Sequence, residues 1–415
     1  MPSDSEILAD LEGVLQAYHK YVESKTGGGE VRKNLSAIQA SFSEAVRLSN
    51  ISFGSRHDEV VRSFIASLAT KRFVILTGLS GSGKTQIAIK LGEWLGKGRG
   101  FVVPVRPDWT GSEAVFGYED ALQPCSPDGR KAWYVPEVLK FMLKAARDPE
   151  HPYLLVLDEM NLAHVERYFA DVLSGMESMH PCLPNLYLEG ENWRLVPEGG
   201  DRLLYPKNLS IVGTVNVDET TYMFSPKVLD RANTLEFRVD TTDLSAEARK
   251  PAHCEPGDPA LVRGFRAIAE DETWHLEHPL TQLDMFLGHL RNLHSLLSGG
   301  GFEFGHRVFY EAVRFAAMHE AAGDDDPEHA LDLQVMQKVL PRLHGSRRRL
   351  EPTLCALGQF CFDLTFEPIS EGVGVTDRFN PLAPRQGEPR LPISFEKIRR
   401  MTQSLRANQF VSFTE

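Results

Sequence analysis

One stretch, Gly78-Leu79-Ser80-Gly81-Ser82-Gly83-Lys84-Thr85, constrains what this chain can fold into more than any other. It follows the pattern G-x-x-x-x-G-K-[ST]. An apolar run over 73–76 precedes it and a helical pattern over 86–95 follows it, so the segment reads as strand, tight loop and helix. Glycines let such a loop curl until its N–H groups converge on an anion, and the helix N-terminus adds a favourable dipole. Gly78, Ser80, Gly81, Ser82, Gly83 and the first helical residues through Gln86 are the expected nucleotide-binding positions. Lys84 would reach the β- and γ-phosphates, and Thr85 would place its hydroxyl on Mg²⁺.

A loop of this kind needs carboxylates on a neighbouring strand. The apolar run 153–157 ends in Asp158-Glu159, which assigns Asp158 to the metal and Glu159 to the base for an attacking water. A further apolar run over 209–215 ends at Asn216, which could bond the attacking water or simply cap a turn. The segment Ser225-Pro226-Lys227-Val228-Leu229-Asp230-Arg231 reads as a short helix ending in an arginine. That arginine is either a solvated surface residue or the group that crosses to a neighbouring subunit's γ-phosphate in a ring-forming NTPase.

The surrounding pattern extends the α/β reading. Strand signals at 73–76, 101–105, 153–157, 209–215 and 234–238 alternate with helical ones, the pattern of a parallel sheet wrapped by helices. Helices are expected over 1–25 and to about residue 48, forming an N-terminal helical extension over 1–54. The α/β domain is then expected over 55–245, with a Pro/Gly/Asn-rich insertion or surface hairpin at 176–207. Helical patterns dominate from 260 to 365, an all-α lid, and a Pro- and Gly-rich C-terminal tail over 366–415 has at most one short helix at 394–405.

Composition limits the functions. Lys plus Arg number 45 and Asp plus Glu 57, so 45 − 57 = −12, which argues against a general nucleic-acid coat. No run approaches a membrane span, the N-terminus has no secretory signal pattern, and the five cysteines form no CxxC pair. A soluble, cytoplasmic protein is expected, with no membrane partner. The 14 histidines make no HExxH, and no Cys/His set has zinc spacing. Pro127-Asp128 with Glu137-Val-Leu-Lys140 is one residue too long for a nuclease centre. Trp109, Trp133, Tyr118 and Tyr134 could line a strand-gripping pore or pack as core.

Taken in order, the glycine-rich loop, Leu157-Asp-Glu-Met-Asn161, Gly213-Thr-Val-Asn216 and Leu229-Asp-Arg231 resemble the AAA+ fold. More narrowly they resemble the McrB-type NTPase subunit of modified-cytosine restriction systems and the neighbouring MoxR clade. Phe304-Gly305-His306 and the turn Gly345-Ser346-Arg347-Arg348-Arg349 are similar as well, and the resemblance spans roughly 55–365. It implies a P-loop AAA+ module followed by the helical lid, assembled as a ring, typically a hexamer, with the site between subunits. Asn216 would be the first sensor, Arg231 an arginine finger acting in trans, and Asn161 a support for the acids. Arg347 or Arg348 would contact the γ-phosphate from the lid.

The resemblance also implies GTP as substrate, with ATP the other choice, Mg²⁺ as cofactor, and an McrC-like nuclease subunit as partner, so that DNA is reached through the complex in restriction or phage defence. Its rivals are a MoxR-like ATPase chaperone that remodels a protein and a nucleotide-controlled assembly switch. The run Val217-Asp218-Glu219-Thr220-Thr221 departs from the family's Thr-Ala-Asp-Arg-Ser, keeping an acid at Glu219 and losing the arginine. Some seventy residues precede the loop, fewer than the family's DNA-reading domain, so target choice is expected from a partner.

Overall fold

The computed structural model describes residues 29–178, 180–196, 202–217, 222–239, 250–365, 377–379 and 387–413. The helix expected over 1–25 and the acid Glu219 lie outside these residues. The chain divides into two compact units, one holding 41–57 and 72–270, the other the described parts of 1–40, 58–71 and 271–415.

The first unit is built on five strands: β1 (Phe73–Gly78), β2 (Gly100–Pro104), β3 (Tyr153–Asp158), β4 (Leu209–Asn216) and β5 (Asn233–Phe237). All neighbouring pairs are parallel, in the order β5-β1-β4-β3-β2. β1 is buried along its whole length, and β3 and β4 are nearly so, which is why they read as continuous apolar runs rather than alternating ones. The order decides the site. β4 lies between the strand that ends in the glycine loop and the strand that ends in the two acids. Gly78 pairs with Asn216 and Gly213 with Leu157, so the three strand ends stand side by side.

The 176–207 segment contributes to a second, antiparallel sheet. Leu186–Glu189 and Asn192–Leu195 form a tight hairpin through Gly190, whose φ of 62° suits the turn. Asn192–Leu195 pairs in turn with Ala132–Tyr134, and that strand with Tyr118–Asp120. The aromatic group divides here. Trp109 and Trp133 pack on the core of this unit, and Tyr118 and Tyr134 stay about half exposed, with ring centroids 5.2 Å apart.

In the second unit the helices Leu283–Gly300, His306–Ala321, Pro327–Gln334 and Arg347–Asp363 pack around one core. The pattern over 327–342 is not one continuous α-helix. It widens to a π turn at Val335–Val339 and tightens to a 3₁₀ turn at Leu340–Arg342, because Pro341 has no N–H to donate and its ring crowds the preceding turn.

Boundaries differ from the sequence reading, first near the start, where residues 41–57 belong to the sheet unit and 58–71 to the helical one. The helix Pro259–Glu270 belongs to the sheet unit, so the break falls after Glu270 rather than at 260. The end of the chain is no loose tail. Helix Pro392–Asn408 buries Ile398, Met401 and Leu405, and Val411 and Phe413 follow them into the same core. Asp332 caps that helix, accepting N–H bonds from Ile393 at 2.8 Å and Ser394 at 2.7 Å. Local sequence hides this because the cap comes from a helix about sixty residues earlier. Among the described residues no helix is long and apolar enough to cross a membrane.

Candidate nucleotide site

The glycine loop turns at the end of β1, where Gly78 has φ 150° and a Cβ would sit 2.3 Å from the carbonyl oxygen of Phe237 on β5. Only glycine lets the two strand ends approach so closely. Gly83 then starts helix Lys84–Leu95. Lys84 is buried, and its ammonium donates to the carbonyls of Gly78 at 2.8 Å and Leu79 at 2.6 Å and to the Ser82 hydroxyl at 3.4 Å. Those acceptors hold a buried cation in the mouth of the loop. Ser80 and Gly81 face solvent and Gln86 is half-buried on the helix's first turn. Phe53, which no motif flags, closes one side of the loop: a Cβ at Gly83 would lie 2.8 Å from its ring, which also meets Phe237 edge-on at 5.5 Å.

Opposite the loop, two hydroxyls converge on one carboxylate oxygen. Thr85 Oγ1 donates to Asp158 Oδ1 at 2.8 Å, and Thr214 Oγ1 donates to the same atom at 2.7 Å. The Thr214 hydroxyl also accepts the Glu159 N–H at 3.0 Å. Glu159 has a left-handed backbone, φ 53° and ψ 47°, which non-glycine residues adopt only when their surroundings enforce it. Its carboxylate accepts from Asn216 Nδ2 at 3.1 Å. Beyond it, the turn Met160–Leu162 runs over β4. A Cβ at Gly213 would lie 1.9 Å from Met160 Sδ, which explains glycine in the Gly-Thr-Val-Asn run. Asn161 is buried, and its carbonyl accepts the Tyr222 N–H at 3.1 Å.

The other predicted residues are placed differently. Arg231, just past the short helix Pro226–Leu229, pairs with Glu177 at 3.1 Å within the same unit. Arg347 and Arg348 open helix Arg347–Asp363 of the helical unit, where Arg347 pairs with Glu351 at 2.7 Å and Arg348 is exposed. Thr214 and Phe53 were missed from sequence, where a threonine near a strand end and an aromatic in a linker read as ordinary strand and packing residues.

The chain is 27% identical over 262 residues to the type IV methyl-directed restriction enzyme EcoKMcrB subunit of Escherichia coli strain K12, a match covering 61% of this chain and 50% of that protein. Over that stretch the chain is a homologue of the McrB subunit. It spans about half the length of this relative. A family model described as a domain of unknown function (DUF8727) matches residues 266–410, from within helix Pro259–Glu270 through most of the helical unit. Among solved structures, a Cytophaga hutchinsonii protein described as a candidate ATPase matches at 12% identity and TM-score 0.46, covering 74% of this chain and 88% of its own. The Saccharomyces cerevisiae Hsp104:casein complex matches at 17% identity and TM-score 0.30, covering 51% and 37%.

Proposed function

We propose that this chain is the nucleoside-triphosphate-hydrolysing motor of a McrBC-like restriction or defence complex, forming a ring and acting on DNA through a separate nuclease subunit. The observation that carries the hydrolytic part is the meeting of Thr85, Thr214 and Asp158 at one oxygen beside a Glu159 tied to Asn216. The homology to the McrB subunit supports the rest.

In this reading Lys84 leaves the Gly78 and Leu79 carbonyls to meet the β- and γ-phosphates. Hydroxyl and carboxylate oxygens are the donor class that Mg²⁺ takes, so Thr85 and Asp158 suit that ion, which would neutralise charge on the transferring phosphoryl group. Asn216 holds the Glu159 carboxylate toward the attacking water, Asn161 supports the acid turn, and Glu159 accepts the water's proton. Arg231 acts on the site of an adjacent copy after releasing Glu177, and Arg347 or Arg348 serves from the helical unit.

Lys84→Ala is expected to abolish hydrolysis and Glu159→Gln to trap bound triphosphate, with GTP and ATP compared in the presence and absence of the nuclease subunit. Undiminished turnover in Lys84→Ala would end the proposal. The trans role of Arg231 has its own test. Lys84→Ala chains carry an intact arginine and Arg231→Ala chains an intact loop, so mixing the two inactive variants should restore part of the activity. No recovery in a verified mixed ring removes Arg231 from the role.

A further inference from the structure

We infer that His319, Asp324 and His329 of the helical unit form a site for a divalent transition-metal ion of the zinc class. His319 lies in the last turn of helix His306–Ala321, Asp324 in the connecting loop, and His329 in the first turn of helix Pro327–Gln334. One ligand atom from each lies within 4.8 Å of the other two. The decisive residue is His319. It is fully buried, and neither ring nitrogen has a hydrogen-bond partner. A buried imidazole left so is costly, and such a group calls for a missing partner. A cation held by its lone pair supplies one.

The neighbours have the chemistry to complete the set. The His329 ring stands 5.3 Å from that of His319, at 86°. His329 Nδ1 and Asp324 Oδ2 are 2.7 Å apart, and Asp324 Oδ1 accepts the Asp326 N–H at 3.2 Å, which fixes the loop. Two imidazoles and a carboxylate suit Zn²⁺ or Co²⁺ and leave a fourth position for water. Tetrahedral metal–ligand bonds of about 2.0–2.2 Å set donors roughly 3.4 Å apart, so the 2.7 Å contact between His329 and Asp324 must open as both turn to the ion. Arg62 competes, since its guanidinium donates to the same Asp324 Oδ2 at 3.1 Å. A cleft of about 430 Å³ lined by Ser36, Thr281, Glu320, Gly323 and Asp325 opens beside this loop. Bound there, the ion would tie the end of one helix to the start of the next. The spacing His-x₄-Asp-x₄-His matches no zinc motif, and only the turn between the helices brings the three together.

The test uses the full chain, stripped with chelator and free of nucleotide, titrated with Co²⁺ and followed by its visible absorption. One Co²⁺ per chain is expected, displaced by Zn²⁺, with the band lost in His319→Leu and His329→Gln and unchanged in Asp158→Asn. Arg62→Met should tighten binding severalfold by removing the competing cation. His319→Leu exchanges an unpartnered buried ring for an apolar side chain, so it should melt no lower than the parent in chelator while losing the Zn²⁺-dependent rise in Tm. The absence of any band, or a band that survives in both histidine variants, overturns the assignment.

Discussion

Thr214 shows how much one hydroxyl can organise. It donates to the Asp158 carboxylate and accepts the Glu159 N–H, so a single side chain orients both acids. Thr214→Val keeps the shape and removes both bonds. It should lower kcat by about 10–100-fold, the usual effect of losing a group that orients ligands from behind. It should also cost about 1–3 kcal/mol of stability, with Thr214→Ser restoring most of both. Steady-state hydrolysis and urea unfolding of the two variants check this, and a fully active Thr214→Val would sink it. Asp158 and Glu159 were legible because an apolar run that stops at two acids gains its meaning from the glycine loop that the same chain carries. Thr214 was not, because its role depends on β4 lying against β3, which no local pattern encodes.

Elements depend on contacts that their own residues do not announce. The turn Met160–Leu162 crosses β4 only because Gly213 has no side chain. Gly213→Ala is expected to cost about 1–3 kcal/mol through overpacking and to displace the turn that follows Glu159. Reduced activity at temperatures well below the variant's Tm would report that displacement, and full activity there would argue against it. Helix Pro392–Asn408 starts on a carboxylate from another helix. Asp332→Ala removes two charge-assisted bonds and should cost about 1.5–3 kcal/mol, with hydrogen exchange fastest at residues 393–396. Protection unchanged there would contradict the cap. The helical periods at 280–298, 306–321 and 346–363 could be read from sequence, since apolar spacing records a buried face. The cap could not, since it links distant residues.

On the scale of the chain, the helical unit joins segments far apart in sequence, and a buried ionic triad ties two of them. Glu311 accepts from Lys71 and forms an ion pair with Lys338 at 2.7 Å. Burial, reinforced by Lys338 and opposed by Glu311, holds Lys71 down from 10.5 to about 7. Between those values the unfolded chain binds a proton at this site that the folded chain does not, so the site's contribution to stability grows as pH rises from about 7 toward 10.5. The stability of the parent minus that of Lys71→Met should therefore climb across this range in urea unfolding, and a flat difference would refute the site. Glu311→Gln leaves two buried lysines without their counter-charge and should cost about 3–5 kcal/mol. By itself the sequence determined the glycine loop, the acid pair, the five parallel strands and the helical second half, because each is set by local spacing and burial periodicity. Only the tertiary structure decided what Thr214, Phe53, Gly213, Asp332 and the His319 cluster do. Their partners lie on other elements, and which groups meet depends on strand order and helix packing rather than on neighbours along the chain.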